Sequence, residues 1–145
     1  MKGTPWGESL RAVGWARSLP LHSEVKIARE WARGHLETLP FAGDASEVVD
    51  DVLLTVSELV TNAHVHADSS AQLVMTWDEQ CLHVAVHDSS ATLPTPQPPS
   101  DDRPGGRGMF LVDALADDWE ARPPCHDGKM VIACFRPPLA GQGGR

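Results

Sequence analysis

The sequence predicts an α+β fold, a two-layer sandwich in which helices cover one face of a mixed, mostly antiparallel sheet. Three observations carry that expectation. Two stretches, 23–39 and 44–67, repeat apolar residues with the 3.6-residue period of helices packed on one side. Two more, 71–77 and 82–87, alternate apolar and polar residues as half-buried strands do, with a short polar turn between them. The remainder supplies one further helix and two further strands, so the helices stay segregated from the strands they cover.

Taken in order, Ala12 to Leu19 is short, mixed and closed by Pro20, which suits an edge strand. Val25, Ala28, Trp31, Ala32, His35 and Leu36 then recur at helical spacing, and Pro40 stops the run. The second helix is the clearest element. Asp44-Ala45-Ser46-Glu47 has capping-box spacing, and Val49, Val52, Leu53, Val56, Leu59, Val60 and Ala63 form one apolar stripe. It is expected to run to about Ala67, where Asp68-Ser69-Ser70 breaks it. In the hairpin that follows, Leu73, Met75 and Trp77 share a face with Leu82, Val84 and Val86, while His83, Ala85 and His87 point the other way, and Asp78-Glu79-Gln80 forms the turn. From Asp88 to Gly106 prolines dominate, a composition that suits neither helix nor central strand and fits a lid or binding loop. Gly105-Gly106-Arg107-Gly108 opens a third helix carrying Met109, Leu111, Val112, Leu115 and Ala116. Strands near 119–122 and 130–135 complete the sheet around a turn at 123–128.

The 145 residues fit one domain, expected over 8–138, with flexible ends at 1–7 and 139–145. A hydrophobic fraction of 41% is enough for a sizeable core. The net charge of -8, with Lys and Arg scattered, argues against nucleic acid as a partner, since phosphate backbones need clustered cations. Cys81, Cys125 and Cys134 form no C-x-x-C pair and leave one over in any bridging scheme, so a reducing cytoplasm is expected. No apolar run is long enough for a leader or a membrane span.

Three groups of residues point to chemistry. Glu58, Asn62 and His66 stand at i, i+4 and i+8 of the second helix and form a polar stripe beside the apolar one, without the Lys and Arg of an ordinary solvated face. The glycine run at 105–108 precedes a helix, where backbone N–H groups can approach a phosphate; it has no P-loop pattern. Asp88 ends a hydrophobic strand, where it is either a turn-former or an acceptor for an exocyclic amino group. His64 and His66 point about 200° apart on a helix and cannot chelate one ion together.

Ser57-Glu58-Leu59-Val60-Thr61-Asn62-Ala63, His66-Ala67, Val86-His87-Asp88, Gly106-Arg107-Gly108-Met109 and the run from Leu111 to Asp117 resemble, in that order, the GHKL ATPase superfamily. Within it they are most similar to the bacterial anti-sigma-factor serine/threonine kinase branch, which has the Bergerat, or histidine-kinase-like ATPase, fold. The resemblance runs from about Ala28 to Phe135. It implies ATP and Mg²⁺ as cofactors, with Asn62 holding the metal and Glu58 acting as general base. It also implies that Asp88 binds the adenine amino group, that Gly106, Arg107, Gly108 and Met109 bind ATP around the second glycine box, and that His66 supports the site wall.

Two departures stand out. Asp88 is followed by Ser89-Ser90-Ala91-Thr92 where the family has glycines, and Gly128-Lys129-Met130 replaces Gly-Lys-Thr, so looser adenine binding is expected. The implied partners are a sigma factor and an anti-sigma-factor antagonist, with the antagonist phosphorylated on Ser or Thr, and a second copy in a homodimer. The alternative is a non-catalytic module in which ATP only shapes a partner-binding surface.

Overall fold

The computed structural model describes residues 12–40, 46–66, 68–89, 108–122 and 128–137. The expected capping residue Asp44, the proline-rich loop, Gly106, Arg107, most of the 123–128 turn and both chain ends lie outside the described residues, as does the side chain of His66.

The described elements are strands β1 (Val13–Leu19), β2 (Ala71–Trp77), β3 (Leu82–Asp88), β4 (Asp118–Arg122) and β5 (Lys129–Phe135), with helices α1 (Val25–Leu36), α2 (Ser46–Thr61) and α3 (Gly108–Leu115). The sheet order is β1-β2-β3-β5-β4. Every pairing in it is antiparallel, so the expected mixture reduces to antiparallel pairing alone among the described residues. β1 lies at the sheet edge, as the short, mixed stretch before Pro20 predicts.

Period-two alternation fixes which side chains enter the core. Leu73, Met75 and Trp77 of β2, Leu82, Val84 and Val86 of β3, and Val131, Ala133 and Phe135 of β5 are buried on one face. Helices cover that face. α2 contributes the predicted stripe from Val49 through Val60, which buried Ala63 continues just beyond the helix end, α1 contributes Ala28, Ala32 and Leu36, and α3 contributes Met109 and Val112. Each fully buried Val or Leu adds about 1.5–3 kcal/mol, so this layer is the main source of stability. Trp15 of β1 stacks on His35 of α1 with ring centroids 4.8 Å apart, which docks the edge strand to the helix layer.

Helix ends differ from the sequence expectation for local reasons. α1 stops at Leu36 because the chain tightens into a turn: the Leu39 N–H donates to Leu36 O, and the Thr38 hydroxyl donates to His35 O at 2.7 Å. α2 ends at Thr61, and the chain continues as a π-helix over Asn62–His66. Ser69 N–H donates to Ala63 O at 3.1 Å, closing that segment before β2.

Candidate functional site

Glu58 and Asn62 sit where α2 changes into the π-segment. Their spacing of four residues keeps them about one turn apart on the α-helical side. Both residues are half-buried, and the Asn62 amide nitrogen is itself buried. The wider winding of a π-turn begins at Asn62, and the expected place of His66 in the stripe lies outside the described side chains. Single π-turns of this sort recur at functional sites, because the extra residue re-aims side chains that a regular helix would hold elsewhere.

Asn62 carries the most informative atom. Its Nδ2 is buried and has no hydrogen-bond partner among the described residues. A buried amide left without a partner costs about 1–3 kcal/mol unless something fills the position. A half-turn about the last side-chain bond exchanges nitrogen and oxygen, so this position can present a donor to a phosphate oxygen or a hard oxygen to a cation. That donor chemistry fits Mg²⁺ with phosphates. Glu58 has an interaction partner of its own. On the same stretch, the Ser57 hydroxyl donates to Leu53 O at 3.1 Å and accepts from Arg29 Nη1 at 3.3 Å, so the polar groups on this part of α2 also reach α1.

The π-segment touches β3, and α2 crosses β3 and β5. β3 ends at Asp88, whose parity puts its carboxylate on the helix-covered face with Val84 and Val86. It is 4% exposed. Directly opposite, Lys129 opens β5 and is 5% exposed. Its ammonium donates to both carboxylate oxygens of Asp88, at 3.0 and 2.8 Å. The resemblance alone does not anticipate this buried pair. Asp88 has a further interaction beyond this pair.

Gly128 makes the approach possible. Its φ is +94°, and a Cβ there would fall onto the Asp88 carbonyl oxygen, so only glycine lets β5 begin this close to the end of β3. Ser69, buried beneath the turn, accepts from Ser89 N–H at 3.0 Å and ties the start of the 89–106 segment to the end of the π-segment.

Met109 is 3% exposed and packs into the core. What it can present to a ligand is therefore backbone at the first turn of α3, and its side chain serves as an anchor. α3 packs on α2, so the helix that begins at Gly108 borders the helix that carries Glu58. The helix that carries Glu58 thus contacts α3, β3 and β5, and the π-segment that begins at Asn62 contacts β3, the strand that ends at Asp88; Gly106 and Arg107 fall outside the described residues. Lys129 is the site residue that the sequence reading passed over. Its signal was available, since a lysine in the buried parity of a hydrophobic strand requires a buried anion nearby.

Sheet order and helix layer together define the class, an α+β two-layer sandwich. The family model of the histidine kinase-like ATPase domain matches residues 21–135, and the chain belongs to that family. No curated protein matches it. Membership carries ATP binding with it. No helix among the described residues is long and apolar enough to cross a membrane.

Proposed function

We propose that this domain is an ATP-dependent regulator that transfers phosphate to Ser or Thr of an antagonist protein and binds a sigma factor. The observation that carries the reading is the junction at Asn62, where a buried amide without a partner stands one turn from the half-buried carboxylate of Glu58. Asn62 would hold Mg²⁺ there through its amide oxygen. Asp88 would accept from the adenine amino group, and the resemblance assigns Gly106, Arg107, Gly108 and Met109 to the phosphates.

Mg²⁺, when bound, neutralises phosphate charge. Glu58 takes the proton of the incoming hydroxyl, that oxygen forms a bond to the γ-phosphorus, and the bond to the β-phosphate oxygen breaks, releasing ADP. The place of Glu58 one helical turn before Asn62 supports this role, because a base and a metal ligand so spaced can serve the same phosphate.

Two measurements test the proposal. Mg-ATP titrated into the protein should give heat and a rise in Tm, and Asn62→Ala should abolish both. Phosphotransfer to a candidate antagonist should be present in the parent and lost in Glu58→Gln, with Mg-ATP binding retained.

A second reading rests on the Asp88–Lys129 pair. Acceptance from an ammonium by both oxygens leaves Asp88 fewer positions for adenine than a free carboxylate has, which favours a non-catalytic module whose ATP occupancy sets a protein-binding surface. Retained Mg-ATP binding without transfer in the parent protein and in Glu58→Gln alike selects that reading over the kinase.

A further inference from the structure

The sheet face that no helix among the described residues covers carries its own cluster of chemistry, at the end away from Asp88. Antiparallel register aligns Gly14, Thr76, His83, Cys134 and Asp118 in one row across all five strands. Cys81 lies two residues before His83, on the same side, and Asp78 stands at the β2–β3 turn. One ligand atom from each of Asp78, Cys81 and His83 lies within 4.8 Å of the others, and all three residues are half-buried, open to solvent on one side. His83 is five residues from Asp88 along β3, about 17 Å, and faces the opposite side of the sheet.

We propose that Asp78, Cys81 and His83 form a binding site for a borderline-soft divalent metal, Zn²⁺ foremost, with Cys134 as the positioning residue that fixes the His83 ring. Four observations carry this. The ligand types are carboxylate, thiol and imidazole, the set Zn²⁺ takes in three-ligand sites that keep a fourth position for water. His83 Nε2 and Asp78 Oδ2 stand 3.6 Å apart, too far for a good hydrogen bond but near the roughly 3.4 Å that separates nitrogen and oxygen ligands around one tetrahedral zinc.

The other atoms of both groups are already held. Asp78 Oδ1 accepts from Gln80 N–H at 3.0 Å and from Cys81 N–H at 2.7 Å, which leaves Oδ2 turned towards the imidazole. His83 Nδ1 lies 3.2 Å from Cys134 Sγ, so one ring nitrogen has an outer partner while the other faces the ligand cluster. An imidazole ligand with its second nitrogen fixed in this way is the usual outer arrangement of a metal site.

The same register disfavours the obvious competitor, a disulfide. Cys134 pairs with His83, so Cys81 and Cys134 are diagonal neighbours. Diagonal Cα atoms stand about 7–8 Å apart, beyond the roughly 6.8 Å limit for a disulfide.

The test uses the full chain, reduced and freed of metal with a chelator. Zn²⁺ alone, followed by calorimetry and by Tm, should bind at one ion per chain and raise the Tm. Co²⁺ should give thiolate-to-cobalt charge-transfer absorption. Cys81→Ser should abolish that absorption, and Cys81→Ser and His83→Gln should each weaken Zn²⁺ binding by more than the roughly 10–100-fold typical of losing an outer partner. Cys134→Ser should fall within that 10–100-fold range while keeping the absorption, because the thiolate ligand remains. Cys125→Ser should behave as the parent. The proposal is overturned by absence of Zn²⁺ binding in the parent, by binding that persists unchanged in Cys81→Ser and His83→Gln, or by a Cys81–Cys134 disulfide that survives in reducing glutathione buffer.

Discussion

Lys129→Met is the most informative single perturbation of the fold. Lys129 and Asp88 are both nearly inaccessible, face each other across β3 and β5, and make two charge-assisted hydrogen bonds. Methionine keeps much of the lysine stem's volume but removes the cation, so Asp88 keeps its charge in a low-dielectric position without its ammonium. Breaking a buried pair from one side typically costs about 3–5 kcal/mol. Against a total stability of roughly 5–15 kcal/mol that is a large fraction. With a urea m-value of about 2 kcal/mol/M, the midpoint should fall by about 2 M. Replacing both partners, in Asp88→Leu with Lys129→Met, removes the stranded charge and should recover most of the loss, because apolar packing can substitute for a complete pair. Urea unfolding of the parent, both single variants and the double variant gives the coupling energy directly. A Lys129→Met midpoint within about 0.2 M of the parent, or a double variant as unstable as the two single losses added together, would refute the reasoning.

Three further outcomes follow from the packing. Leu59→Ala, in the α2 stripe and 2% exposed, should lose about 2–5 kcal/mol in urea unfolding, because the sheet beneath cannot collapse into the space. Gly128→Ala should destabilise by about 1–3 kcal/mol or more, since its backbone lies at φ +94° and the added carbon meets the Asp88 backbone; a Tm equal to the parent's would contradict that geometry. The hairpin turn should weaken in acid. Burial pushes the Asp78 carboxyl up, but hydrogen bonds from Cys81 and Gln80 and the nearby His83 outweigh it and leave the group below its ordinary value. A carboxyl lowered on folding contributes stability that is present above its unfolded value near 4 and is lost as pH falls through the folded value. Asp78→Asn should therefore flatten that part of the stability–pH curve.

Much of the fold was legible in the sequence because it follows from periodicity. The α2 stripe, the buried faces of β2 and β3, and the edge position of β1 are where the spacing puts them. Glu58 and Asn62 were legible as a pair because one turn of helix is a local relation. The π-segment was not, because the change of winding after Thr61 depends on how the chain must turn to bring Ser69 beneath Ala63. The Asp88–Lys129 pair spans 41 residues and needs the β3–β5 register, which no local pattern supplies. The Asp78, Cys81 and His83 cluster has a short D-x-x-C-x-H spacing, yet Asp78 read as turn chemistry and Cys81 as one of three cysteines without a C-x-x-C partner. Only the folded hairpin shows that the same carboxylate does both, one oxygen capping the turn and the other facing the imidazole.

Parity along β3 separates the two sites more strictly than distance does. Leu82, Val84, Val86 and Asp88 enter the helix-covered face, and His83, Ala85 and His87 face away. A slip of one residue between β3 and β5 would expose Asp88 and bury His83, removing the acidic end of the first site and the imidazole of the second together. What holds the register is therefore shared by both. The valines and Leu82 must stay inside, and the Lys129 ammonium must stay on the Asp88 carboxylate, so the buried pair works as a register pin as much as a stabilising contact. Gly128 completes the pin, because any side chain there would push β5 off the end of β3 and loosen the alignment at the strand start. Lys129→Met should accordingly disturb the distant Zn²⁺ site only as far as it lets the register slip. Intact metal binding in a destabilised Lys129→Met protein would place the pin in the apolar residues, and weakened binding would place it in the ion pair.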